Sequence, residues 1–168
     1  LGAGLGRDTV FFAKNKIKVE ALDYSPTAIK IIEKKAKGNN FSKLVSTKYF
    51  DVRGKLPYED NSIEGIFSHM LYCMALTNSD IERLNNEILR VLKPGGMNIY
   101  TVRNFNDGDY TKGIHVGEDM YENDGFIINF FSEKKVNSLL KGFNNLSINK
   151  FEEGKFPRKL FLVQNKKT

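Results

Sequence analysis

Gly2-Ala3-Gly4-Leu5-Gly6 constrains this chain more than any other stretch, because three alternate glycines run straight into a helical pattern. Glycine reaches backbone conformations that strain other residues, and it puts no Cβ between the main chain and whatever approaches it. A glycine turn feeding a helix N-terminus can therefore cradle a polar ligand with unpaired N–H groups. A tight turn holding nothing is the plain alternative. A G-x-G-x-x-G dinucleotide fingerprint would need its third glycine where Arg7 stands, which disfavours nicotinamide chemistry.

Helical and strand periods alternate after the loop, the pattern of successive βαβ units and so of an α/β fold with a mostly parallel sheet. Val10, Phe11 and Ala13 mark a helix over 8–13, and Ile17, Val19, Ala21 and Leu22 mark an extended run. Asp23 ends that run, where a carboxylate can hold two ribose hydroxyls or simply cap the next helix. Ser25-Pro26 predicts a helix start, since the serine hydroxyl accepts a free N–H and proline suits the first helical position. Ile29, Ile32 and Ala36 share a face of that helix, and Gly38 with Asn39 is expected to close it in a left-handed cap.

Strands are predicted over 44–50 and 62–68. Ser79-Asp80-Ile81-Glu82 has capping-box spacing ahead of the stripe Ile81, Leu84, Ile88 and Leu92. Pro94-Gly95-Gly96 is expected to stop that helix and turn the chain into a strand over 97–102. Residues 104–125 are rich in Asn, Asp and Gly without a period, and are expected to form a long loop acting as an active-site lid or substrate loop. A helix over 132–143 and an antiparallel strand pair, 146–151 with 159–163 around Glu153-Gly154, complete the pattern.

The length of 168 residues suits one domain with its own core. One cysteine, Cys73, excludes an internal disulfide framework and fits a reducing compartment, so a cytoplasmic location is expected. No apolar run suggests a membrane span. The net charge of +6 would suit nucleic acid, yet the lysines are dispersed, at Lys14, Lys16, Lys18, Lys30, Lys34, Lys35, Lys37, Lys134, Lys135 and Lys141. Dispersed charge reads as solvated surface, so neither nucleic acid nor a membrane is expected as a partner. Two histidines and one cysteine make no zinc set, and no metal is expected. No residue pattern defines an oligomeric state.

Four segments in order carry a resemblance: Leu1-Gly2-Ala3-Gly4-Leu5-Gly6-Arg7-Asp8; Ala21-Leu22-Asp23-Tyr24-Ser25-Pro26; Phe50-Asp51-Val52 with Leu56-Pro57-Tyr58-Glu59-Asp60-Asn61-Ser62; and Arg90-Val91-Leu92-Lys93-Pro94-Gly95-Gly96. They resemble the successive motifs of class I S-adenosylmethionine-dependent methyltransferases, over residues 1 to 103. The Gly-Arg-Asp ending and the Asp-Tyr-Ser-Pro segment are similar to the tellurite-resistance-type branch. The resemblance implies a Rossmann-like methyltransferase sandwich whose mostly parallel sheet ends in an antiparallel pair. In that family a central first strand leads into the glycine loop. Only Leu1 could belong to it, so the chain is expected to begin inside the domain and, by itself, not to bind cofactor normally.

The resemblance further implies S-adenosylmethionine as cofactor. Gly2, Ala3, Gly4 and Gly6 would pass under its methionine part, Asp23 would hold the ribose, and Tyr24, Asp51 and Val52 would meet the adenine. Ser68 and His69 would sit near the methyl group. On the acceptor side, His69, Tyr72, Arg103, His115 and Arg158 are candidates, with Cys73, Asp119 and Tyr121 nearby in sequence; histidine can serve as a base and arginine can hold an anion. Cys73 beside Met70, Leu71 and Met74 also reads as packing, and His115 as an ordinary loop residue. The expected reaction is in-line methyl transfer to a small molecule. A nucleic-acid or protein methyltransferase, or a non-catalytic cofactor-binding protein, are the alternatives.

Overall fold

The computed structural model describes Leu1–Thr168, which divide into two compact units, Leu1–Gly54 and Lys55–Thr168. In the first unit, helix α1 (Arg7–Lys14) leads to strand β1 (Val19–Asp23), helix α2 (Pro26–Gly38) and strand β2 (Val45–Tyr49). β1 and β2 pair in parallel from Val19↔Val45 to Asp23↔Tyr49, with α2 as their crossover. Ser25 Oγ caps α2 by accepting the Ala28 N–H, and Ala28, Ile32 and Ala36 bury its inner face. The left-handed residue after this helix is Asn40 (φ 60°), not Gly38, which remains helical.

The second unit holds β3 (Ile63–His69), a 3-10 turn (Leu71–Cys73), α3 (Asn78–Val91), β4 (Leu92–Arg103), β5 (Ile114–Gly117), β6 (Met120–Asn123), β7 (Phe126–Asn129), α4 (Glu133–Ser138), β8 (Phe143–Glu153) and β9 (Arg158–Lys167). One sheet has the order β3-β4-β9-β8, its first pair parallel and the other two antiparallel. The expected closing strand pair is present and longer than its sequence pattern suggested. α3 lays Ile81, Leu84, Ile88 and Val91 into a core with Leu92, Tyr100, Val102, Phe130, Phe131, Leu160 and Val163.

The helix expected over 132–143 ends at Ser138, and Phe143 opens β8 instead; three further elements differ from expectation. The capping box of α3 is Thr77 with Asp80, whose carboxylate takes the Thr77 N–H while Thr77 Oγ1 takes the Asp80 N–H, so the helix starts earlier than the Ser79 reading. Helix α3 ends at Val91 without help from Pro94-Gly95-Gly96. That triplet lies inside β4, with Gly95 at φ 77° and a register shift between Ile63 and Gly65. Residues 104–125, expected as an irregular loop, contain β5 and β6, which join β7 in an antiparallel three-stranded sheet.

Candidate active site

In the first unit one carboxylate ties the glycine loop to the end of β1. Gly2, Gly4 and Gly6 take φ of 62°, 52° and 78°, where a side chain would be strained. A Cβ on Gly4 would meet nothing within 4 Å, so the backbone there is bare to a ligand. A Cβ on Gly6 would stand 2.8 Å from Ile32 Cγ1, so Gly6 is needed for the approach of α2. Asp23, 7% exposed, accepts the Gly4 N–H at Oδ2 (2.7 Å) and the Ser25 N–H at Oδ1 (2.9 Å). Ala3 N–H reinforces the clasp by donating to Leu22 O (3.0 Å).

The side-chain cap of α2 comes from Ser25, so Asp23 is not its substitute. A carboxylate has about four acceptor positions, and one bond on each oxygen leaves room for two hydroxyl donors. Tyr24 is 68% exposed beside it, open to a flat ring. Asp51 grips the Arg53 guanidinium (Nη2 2.6 Å, Nε 3.0 Å), and the side chain and backbone N–H of Arg53 hold its carboxyl below the ordinary range. An amino group reaching Asp51 would share it with that arginine. Val52 is half-buried in the adjoining turn.

In the second unit the C-terminal end of β3 is the organised point. Ser68 is 1% exposed and its Oγ has no hydrogen-bond partner, an unfilled polar demand of the kind seen near functional sites. His69 is held at both ring nitrogens: Nδ1 is 2.9 Å from Thr101 Oγ1 and Nε2 is 3.0 Å from Glu153 Oε2. Thr101 is the register partner of His69 on β4, and its Oγ1 also accepts the Met70 N–H (3.0 Å). Met70 takes φ 54°, turning the chain sharply out of β3. Arg158 opens β9 opposite Glu153; its Nη1 lies 3.9 Å from Met70 Sδ, and no carboxylate pairs with it.

Tyr72 and Arg103 lie inward. Tyr72 is fully buried with its ring 4.8 Å from that of Tyr100, and burial pushes its phenol up; the neighbouring Asn98 amide opposes this without closing a hydrogen bond of good geometry. Arg103 is already neutralised, with Nη2 2.5 Å from both Asp107 Oδ1 and Asp109 Oδ2. Its guanidinium carbon lies 5.3 Å from the Phe130 ring centre. Arg103 N–H donates to Cys73 Sγ (2.9 Å), and burial pushes that thiol up to about 12, so Cys73 is packing and not a nucleophile.

His115 belongs to the β5–β7 sheet, exposed, with Nε2 2.8 Å from Glu118 O and its ring 5.0 Å from that of Tyr121. Asp119 pairs with Lys135 (3.1 Å). The structure thus brings together His69, Arg158 and two residues not singled out from sequence, Thr101 and Glu153. Glu153 had been visible only as half of a Glu-Gly turn. No group of three or more His, Cys, Asp or Glu side chains is placed to hold a metal.

Parallel βαβ steps closed by an antiparallel strand pair, with a glycine loop clasped to a strand-end aspartate, define a class I methyltransferase fold. The methyltransferase domain family matches residues 1–96, and the chain belongs to that family. The methyl donor of the class is S-adenosylmethionine. The chain is 38% identical over 97 residues to phosphoethanolamine N-methyltransferase 1 of Triticum aestivum, a match covering 57% of this chain and 19% of that protein. The chain therefore spans about a fifth of the length of that curated relative. A structure described as a SAM-dependent methyltransferase of Methanosarcina mazei matches with a TM-score of 0.85 at 19% identity, covering 99% of this chain and 89% of that one. TehB from Haemophilus influenzae matches with a TM-score of 0.75 at 17% identity, covering 99% and 56%. These structural likenesses are likenesses of fold.

Proposed function

We propose that the protein transfers a methyl group from S-adenosylmethionine to a small-molecule acceptor that carries an anionic group. The observation that carries the cofactor half is the clasp of Asp23 on the Gly4 amide, which presents bare backbone and an acidic acceptor side by side. In this reading Gly2, Ala3, Gly4 and Gly6 line the methionine part, Asp23 takes the ribose hydroxyls, Tyr24, Asp51 and Val52 meet the base, and Ser68 and His69 line the methyl end. When bound, the cofactor supplies an electrophilic methyl group, which the acceptor's lone pair takes as the carbon–sulfur bond breaks. The chain's task is then positioning, an effect that reaches about 7–11 kcal/mol in well-oriented reactions.

The acceptor half rests on Arg158, an exposed guanidinium without a carboxylate partner at the hairpin mouth that also carries Glu153. The wheat relative's name, a phosphoethanolamine N-methyltransferase, supports an amine bearing a phosphate as the first acceptor to try. Residues 104–125 serve in this reading as the substrate loop, with the sheet β5–β7 as its frame. Arg103 and Tyr72 act through packing, and His115 stands apart on β5.

Calorimetry with S-adenosylmethionine and S-adenosylhomocysteine tests the cofactor half. Binding by the full-length wild-type protein and its loss in Asp23→Ala is expected; no binding by that protein when folded overturns the reading. Turnover of phosphoethanolamine but not ethanolamine, with KM raised about tenfold or more in Arg158→Gln, is expected for the acceptor half. Equal use of both amines removes the anion requirement.

A further inference from the structure

We infer that Glu153 and Thr101 are positioning residues that fix the His69 ring in one orientation and one tautomer, with the proton on Nε2. The inference rests on the reading of His69 as a residue of the methyl-transfer site. A carboxylate only accepts hydrogen bonds, so Glu153 Oε2 at 3.0 Å requires a hydrogen on Nε2. In the neutral ring Nδ1 then keeps its lone pair, and the Thr101 hydroxyl at 2.9 Å donates to it. Thr101 Oγ1 meanwhile accepts the Met70 N–H, which Thr101 O also accepts, so the bonds run in one direction from Met70 through Thr101 and His69 to Glu153. The opposite tautomer would aim the Nε2 lone pair at carboxylate lone pairs and is disfavoured electrostatically.

The series joins three strands. His69 ends β3, Thr101 lies on β4 and Glu153 ends β8, so the ring is set by the sheet and not by its own rotamer preference. The side chains of His69 and Glu153 are 15% and 28% exposed, shielded enough for a charge-assisted bond to outweigh the small value of open surface pairs. Glu153 is also the register partner of Arg158, so one hairpin mouth places both the ring and the guanidinium. Histidines that act in a site commonly have the second nitrogen fixed in this way, and loss of such a partner costs about 10–100-fold in metal sites, the best-measured case.

The chain has two histidines, so 15N-resolved spectra of the imidazole rings read His69 directly once His115→Gln assigns the other. The expected result is a pure Nε2–H form in the wild type, kept in Glu153→Gln and replaced by mixed tautomers in Glu153→Leu. Thr101→Val is expected to move the Nδ1 resonance toward that of an unbonded lone pair. With phosphoethanolamine as acceptor, Glu153→Leu should lower kcat about tenfold and leave S-adenosylhomocysteine affinity within about twofold, with Glu153→Gln recovering most of the rate. A wild-type ring protonated on Nδ1, an unchanged tautomer in Glu153→Leu, or unchanged turnover in that variant overturns the inference. Absence of S-adenosylhomocysteine binding by the full-length wild-type protein sinks the methyltransferase reading instead, and the tautomer spectra still decide how His69 is held.

Discussion

Arg103 and Tyr72 show how residues that look catalytic in sequence become interior parts in the fold. Burial pushes the Asp107 carboxyl up, but the Arg103 guanidinium and the N–H groups of Asp109 and Lys159 outweigh that and hold it below the ordinary range. The Asp107 side chain is 1% exposed, so Arg103→Met would strand a buried charge. The expected loss is about 3–5 kcal/mol in denaturant unfolding, with collapse of the 104–125 segment's protection in hydrogen exchange. The Tyr72 hydroxyl is buried and unpaired, and removing such a group costs little. Tyr72→Phe is expected to change stability by less than about 1 kcal/mol and to leave turnover unchanged; a large loss of kcat with intact stability would place that hydroxyl in the chemistry.

At the scale of elements, caps and stripes were legible where the signal is local. Ser25-Pro26 starts α2, and Ile81, Leu84 and Ile88 face the core of the second unit. The α3 cap was misplaced because two overlapping boxes share the same spacing, and the bonds that Asp80 makes to Thr77 decide between them. Residues 104–125 escaped the sequence reading because their strands are four residues long and turn-rich, too short for a period of two to register. Gly6 belongs to this scale as well, since it sets how closely α2 approaches the loop. Gly6→Ala combines a positive φ, worth about 1–2 kcal/mol, with a 2.8 Å contact to Ile32. A loss of at least about 1–2 kcal/mol in thermal or denaturant unfolding is expected, together with weaker cofactor binding.

For the molecule as a whole, pH dependence follows from carboxylates held low by partners. Hydrogen bonds from Thr77 and Arg83 lower Asp80, those from Arg90 and the Leu56 N–H lower Glu87, and Arg103 overcomes burial at Asp107. A folded pKa below the unfolded value, about 4 for these groups, gives stability that is complete above pH 4 and lost as pH falls through the folded pKa. Stability should therefore be flat near neutrality and drop below about pH 4, with Arg103→Met showing a shallower acid limb. An acid limb of equal slope in that variant would remove Asp107 from the account.

By itself the sequence determined what depends on near neighbours along the chain: the glycine loop, the α/β alternation, the strand-end aspartate and the motif order that marks the family. Tertiary structure decided which side chains meet. His69 and Glu153 are 84 positions apart, and Arg158 reaches Met70 across 88, separations at which no local period carries information. Whether an arginine is an anion grip or a buried counterion likewise depends on distant partners: Arg103 is consumed by Asp107 and Asp109, whereas Arg158 is not. The physical reason is that helix and strand propensities act over a few residues, while the desolvation and pairing that give a charged group its role are settled only when strands are brought into register.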